Sequence, residues 1–315
     1  LVAVTLAAVA VGRPAAALAS ANPSEMLTYM PTELVHSLQT PAQVNRYLAD
    51  LASYHIGQAL FQMPRFSKNG KMKLPATNAQ MLTLWASCAA LYETENGSGI
   101  SVTAVFNAAL GRKGPNLELA ATRANMLAAV RSALALGISG VQLDVEPFPE
   151  TRGFTLLLEE LDAMLVAEGF GGTLSVVAPA DTATWKPAYL LRVSQLVDQV
   201  DPTFYESELP SAAGYEEWVS EGLAYYSANA APGASIIPVI PSYRANAWHS
   251  PVIENIATGT TGIEEALAAA DRVNGAGIWW WFGFFENEDG KYKERYAAAD
   301  RAVWQGRTVD VGFSP

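Results

Sequence analysis

Gly140-Val141-Gln142-Leu143-Asp144-Val145-Glu146-Pro147 is the most informative run in the chain. Apolar and polar residues alternate in it with a period of two. That is the pattern of a β-strand, whose successive side chains point to opposite faces. Val141, Leu143 and Val145 share one face and suit packing beneath helices, whereas Gln142, Asp144 and Glu146 share the other. A row of polar groups ending in two carboxylates is costly inside a protein unless it lines a site. Helical patterns flank the run. Residues 116–136 put Leu117, Ala120, Ala124, Leu127, Val130 and Leu134 on one face and stop at Gly137; residues 151–168 turn Leu157, Leu158, Leu161 and Leu165 inward and stop at Gly169. A strand with a polar inner face, set between two amphipathic helices, fits one stave of a β/α barrel.

The same alternation continues in both directions. Further strands are expected at about 26–30, 56–63, 100–107, 173–178, 199–205, 235–240 and 277–282. Helices are expected after Thr40-Pro41, at about 76–92, around Tyr189–Leu196, around Tyr215–Leu223, near 262–273 and at about 291–304. Eight strands alternating with helices predict a single (β/α)8 TIM barrel over residues 22–315. The rival, an open doubly wound sheet, usually carries a glycine-rich phosphate turn, and neither GxGxxG nor GxxxxGK[ST] occurs.

Composition narrows the function. The 315 residues are 50% hydrophobic and carry a net charge of −11, which argues against nucleic-acid binding through a broad basic face. The short cationic run Lys68–Lys73 reads as a solvated loop. The single cysteine, Cys88, cannot form an internal disulfide and reads as a small buried hydrophobe. His36, His55 and His249 are scattered without ligand spacing, so no metal site is expected, and no cofactor motif is present. Residues 1–21 combine an apolar run, Arg13-Pro14 and a small-residue stretch. They have the form of a signal-peptide remnant, which implies a secreted or periplasmic protein with no integral membrane span in the mature chain; an ordered N-terminal helix or an uncleaved anchor is the alternative. A monomer is expected.

Active sites of barrels lie at the C-terminal ends of the strands. The sixth strand ends in Phe204-Tyr205-Glu206, with Asp201, Thr203 and Tyr205 on one face. The eighth contains Trp279-Trp280-Trp281; Trp279 and Trp281 share a face and offer flat platforms for a sugar ring, while Trp280 suits the core. The seventh ends in Pro241-Ser242-Tyr243-Arg244 and lacks the acid that many retaining barrel glycosidases place on a second strand.

Taken together, these strand ends resemble glycoside hydrolase family 18, the chitinases and endo-β-N-acetylglucosaminidases. The family's fourth strand carries DxxDxDxE, and residues 139–146 here match its last two acids with Asp144 and Glu146. Ser139 and Gln142 replace the first two acids, and Glu206 replaces the Asp that follows the family's strand-six Tyr. The resemblance implies substrate-assisted, retaining hydrolysis of an oligo- or polysaccharide containing N-acetylhexosamine. Glu146 would protonate the glycosidic oxygen; Asp144 and Tyr205 would hold the acetamido group that attacks the anomeric carbon. Gln142, Trp279, Tyr243, Glu206 and Trp281 would bind the sugar. Gln142 would hydrogen-bond Asp144 without sharing a proton with it, which implies lower activity, a shifted pH profile or a different sugar. The stretch 241–276 has room for a loop and a helix but no inserted domain, implying a shallow cleft. Two other readings remain open. One is a carbohydrate-binding barrel with little or no turnover. The other is a glycosidase of another barrel family that uses a second carboxylate such as Glu206 or Glu286.

Overall fold

In the computed structural model, residues 26–97, 99–242, 248–269, 271–279 and 303–304 are described. They run β1 (Leu27–Met30), α1 (Glu33–His36), α2 (Pro41–Ser53), β2 (Gln58–Gln62), α3 (Ala76–Asn96), β3 (Ser101–Ala109), α4 (Ala120–Leu134), β4 (Gly140–Glu146), α5 (Arg152–Ala167) and β5 (Thr173–Pro179). There follow α6 (Pro187–Ser194), β6 (Gln199–Thr203), α7 (Ala212–Asn229), β7 (Ser235–Ile236), β8 (Val239–Pro241), α8 (Ile256–Ala268) and β9 (Gly277–Trp279). All the strand pairings are parallel. The sheet closes because β5 pairs with β6 at one end of the order and β9 pairs with β1 in its middle. With β7 and β8 counted as two halves of one stave, eight staves form a (β/α)8 barrel.

Three elements differ from the sequence pattern, each for a local reason. The fourth helix starts at Ala120 rather than 116, because Asn116 closes a turn instead: its side chain accepts from the Glu118 amide and its carbonyl from the Leu119 amide. The seventh strand is broken, since Pro238 has no amide to donate to a ladder. The eighth helix begins at Ile256, not near 262. Asn255 and Thr258 form a reciprocal capping box there, and Gly259 and Gly262 let α8 press close to Ile240 and to Val219 of α7. Residues 1–21, the Trp280–Phe282 end of the eighth strand and most of the expected last helix lie outside the described residues. Among those described, no helix is long and apolar enough to cross a membrane.

Two apolar layers hold the barrel. The larger lies between sheet and helices and includes Val141, Leu143 and Val145 together with Leu157, Leu158 and Leu161. The smaller fills the barrel interior with Leu27, Tyr29, Leu60, Val105, Ile237 and Val239, and Tyr205 and Trp279 pack against it. The period-two alternation in β4 thus separates two environments, apolar outside and mixed inside. Cys88 is buried in the outer layer. At the closed end of β4, Gly140 faces Thr103 of β3 so closely that an added Cβ would lie 2.1 Å from the Thr103 hydroxyl oxygen.

Gly140→Ala should therefore lower stability by about 1–3 kcal/mol through overpacking. Gly171→Ala, where a Cβ meets nothing within 4 Å, is the control. Equal urea midpoints for the two variants would contradict this account of the barrel floor.

Candidate active site

Along β4 the inward face climbs from the barrel interior to its mouth. Gln142 is fully buried at 0% exposure, Asp144 is half-buried and Glu146 is exposed. Asn107 of β3 lies in register beside Asp144, and Ala109 beside Glu146. The Glu146–Pro147 peptide is cis. The loop that follows is tied down from the side: the Trp185 indole donates to the Phe148 carbonyl (3.0 Å) and the Tyr189 hydroxyl to the Pro149 carbonyl (2.7 Å).

Asp144 is the unusual group. Its Oδ1 is buried and has no hydrogen-bond partner. Burial, reinforced by the neighbouring Glu146 charge and opposed by Arg65, raises its carboxyl from 3.8 to about 7. An unsatisfied carboxylate oxygen is expensive, and such atoms concentrate where a ligand completes the hydrogen bonding.

Gln142 was expected to touch both sugar and Asp144. The structure places it one layer below the mouth and gives its amide different partners. It donates to Asp201 Oδ2 (2.5 Å) and Ser175 Oγ (3.2 Å), and its Oε1 accepts from the Tyr29 hydroxyl (2.8 Å). Asp201, also at 0% exposure, accepts from Gln199 at both oxygens (2.8 and 3.0 Å), and Gln58 donates to Gln199 (2.9 Å). Among the described residues, a fully buried acid of the barrel interior is therefore on β6, and the residue at 142 is its donor. Burial raises the Tyr29 hydroxyl well above 10, and the charges of Asp201, Tyr205 and Asp144 push it the same way.

Three rings stand beside the carboxylates. Trp279 stacks on Tyr205 (centroids 5.6 Å, 23° between planes) and tilts against Tyr29 (4.4 Å, 60°). Tyr205 is half-buried, and Glu206 after it is exposed with a left-handed φ of 57°. What holds this turn is Glu254, a residue the sequence pattern did not single out. Its carboxylate accepts from the Glu206 amide (2.8 Å), the Ser207 amide (2.9 Å), the Ser207 hydroxyl (2.5 Å) and His249 Nδ1 (2.9 Å). Burial works against its charge, but the hydrogen bonds from His249, Ser207 and Glu206 prevail and hold it below the ordinary value. The pair sits in the loop after β8, too far along the chain for spacing to connect it with Tyr205.

Tyr29, Asp144, Glu146, Tyr205 and Trp279 thus gather at the C-terminal ends of β1, β4, β6 and β9. Ser139, at the opposite end of β4, instead accepts from the Val102 amide (2.9 Å). Tyr243, Trp281 and Glu286 lie outside the described residues. Among the described residues no group of three His, Cys, Asp or Glu could hold a metal ion.

No family model matches the chain, and no curated protein does either. Solved structures match in fold. The spore cortex-lytic enzyme of Bacillus cereus superposes with a TM-score of 0.57 at 13% identity, over 83% of this chain and 71% of that one. A glycoside hydrolase family 18 N-acetylglucosaminidase from Paenibacillus barengoltzii gives 0.58 at 14%, over 90% and 99%. A xylanase and alpha-amylase inhibitor protein from Scadoxus multiflorus gives 0.59 at 10%, over 91% and 98%. At such identities the likeness establishes the barrel fold.

The Asp144 carboxyl sets a pH-dependent stability. Below about pH 4 it is neutral whether the chain is folded or not, so Asp144→Asn should change little. Between about pH 4 and about pH 7 the unfolded chain releases this proton while the folded chain keeps it. The wild type then loses up to roughly 4 kcal/mol relative to the variant, a difference that stays level above pH 7. Melting temperatures at about pH 4 and about pH 8 test this; the same gain at both would show that Asp144 is not a strained acid.

Proposed function

We propose that this chain is a glycoside hydrolase that cleaves N-acetylhexosamine-containing glycan by substrate-assisted, retaining catalysis. The observation that carries the reading is the pairing on one strand of a half-buried carboxyl whose buried oxygen is unsatisfied, Asp144, with an exposed carboxyl two residues closer to the mouth, Glu146. The barrel neighbours named as a family 18 N-acetylglucosaminidase and a cortex-lytic enzyme support it.

In this mechanism Glu146 gives its proton to the glycosidic oxygen as that bond breaks. The acetamido oxygen of the same sugar attacks the anomeric carbon, so no protein nucleophile is required. Positive charge develops on the acetamido group. Asp144 accepts its N–H at the oxygen that otherwise lacks a partner, and the negative carboxylate steadies that charge. Tyr205 donates to the acetamido oxygen and Trp279 supports the ring. Glu146, now ionised, takes a proton from the water that opens the cyclic intermediate and so returns to its starting state.

A carbohydrate-binding barrel without turnover is the second reading, favoured by the neutral Gln142 in place of an acid. Hydrolysis of chitooligosaccharide and glycopeptide substrates separates the two. Wild type should cleave at least one class, and Glu146→Gln should lose about 10²–10⁴-fold in kcat while still binding. Binding without cleavage by wild type would favour the second reading. Undiminished cleavage by Glu146→Gln would remove that residue as the acid.

A further inference from the structure

The chain is acidic overall, at −11, yet one side of the barrel mouth is cationic. The loop between β2 and α3 carries Arg65, Lys68, Lys71 and Lys73, with no Asp or Glu between residues 63 and 75. The loop between β3 and α4 adds Arg112 and Lys113. All six side chains are exposed. Four cations elsewhere are neutralised: Arg123, Arg131, Lys186 and Arg192 pair with Glu160, Glu168, Glu150 and Glu159. Among the described residues the six on these loops make no ion pair. The acid on their own loops, Glu118, is turned to the Gly153 amide at the start of α5 (2.8 Å).

These two loops adjoin the carboxylate strand and each other. The Leu110 amide bonds the Glu146 carbonyl (2.7 Å), and the Asn125 side chain bonds the Asn69 carbonyl (2.8 Å). Arg65 is close enough to oppose the other influences on the Asp144 carboxyl. Between the loops is a cavity of about 340 Å³ lined by Lys68, Leu110, Asn116, Leu117, Glu118 and Thr151. Its size falls near the lower end of small-molecule sites, about 300 Å³. Among the described residues, the loops after β4, β5 and β6 carry the acids Glu150, Asp181, Glu206 and Glu208, of which Glu150 pairs with Lys186. Among the described residues, charge therefore changes sign between the loops after β2 and β3 and those after β4, β5 and β6. Six like charges kept unpaired at one lip repel one another, a cost that a ligand of opposite charge removes.

We infer that the glycan this site takes is acidic: a chain containing N-acetylhexosamine in which alternate sugars bear a carboxylate, with those sugars lying over the loops after β2 and β3. This rests on the glycosidase reading and narrows its substrate. A neutral chitin chain leaves the six cations unused, whereas a carboxylate on a neighbouring sugar meets them at the lip, where Lys68 also borders the cavity.

The test compares three soluble glycans: neutral chitooligosaccharide, peptide-free strands in which alternate units bear a lactyl carboxylate, and strands in which uronic acid alternates with N-acetylglucosamine. Wild type should show kcat/KM about 10-fold higher on one of the acidic glycans at low ionic strength, and should lose most of that preference at about 0.5 M salt. Whichever acidic glycan is preferred identifies the source of the carboxylate. The triple variant Lys68→Ser, Lys71→Ser, Lys73→Ser should lose the preference and keep its rate on the neutral glycan. Equal rates on neutral and acidic glycans, or equal effects of the triple variant on both, overturn the inference. If no glycan is cleaved, the hydrolase reading fails, and equilibrium binding to the same three decides: salt-sensitive preference for an acidic glycan supports the cationic lip, and equal binding overturns it.

Discussion

Asp201 sits inside the barrel with its carboxyl group wholly removed from water, and the surrounding side chains are arranged to satisfy it. A buried carboxyl group is tolerable only with donors at its oxygens. Gln199 and Gln142 supply them, one from the same strand and one from across β5. Because Gln142 spends its amide on Asp201, its carbonyl oxygen is free to receive the Tyr29 hydroxyl. Tyr29 in turn sets the tilt of Trp279, and Trp279 meets Tyr205. A chain of contacts thus joins a buried acid to the rings at the mouth. Such a network rigidifies only when each member is satisfied, since one unpaired group in low dielectric costs more than the network gains.

Above this network the Asp144 Oδ1 has no hydrogen-bond partner, at the level where the satisfied interior gives way to the open mouth. Asp144 lies above the Gln142 layer and below the exposed Glu146, near enough to that charge to resist ionising. The turn after β6 is built in the opposite manner. Glu254 gathers four donors and holds a left-handed residue in place, so Tyr205 stands on a fixed backbone. An unsatisfied acid oxygen and a tyrosine followed by a braced turn thus occupy the same end of the barrel.

The loops after β2 and β3 are cationic and those after β4, β5 and β6 mostly acidic, so charge is spread unevenly over the strand ends. Barrel strands supply the reacting groups and the loops beyond them supply selectivity, so loop charge can change without disturbing the interior. The net charge of the whole chain conceals this, because a sum over residues says nothing about which side of the mouth they occupy.

From the sequence alone, alternation within Gly140–Glu146 placed Asp144 and Glu146 on the inner face, and the repeated strand–helix period determined the barrel. Both follow from local geometry: a strand puts every second residue on one side, and amphipathic helices announce which side is covered. The bounds of β4 were legible to the residue because polarity switches at each step there. The break at Pro238 and the early start of α8 were not, because they depend on a missing donor in a ladder and on how closely α8 approaches its neighbours. Tertiary structure alone decided that Gln142 serves Asp201 rather than Asp144, and that Glu254 and His249 brace the turn beside Tyr205. It also decided that cations from two separate loops share one lip. Each of these joins residues distant in the chain, and spacing along a sequence carries no information about which buried donor a distant acceptor will find.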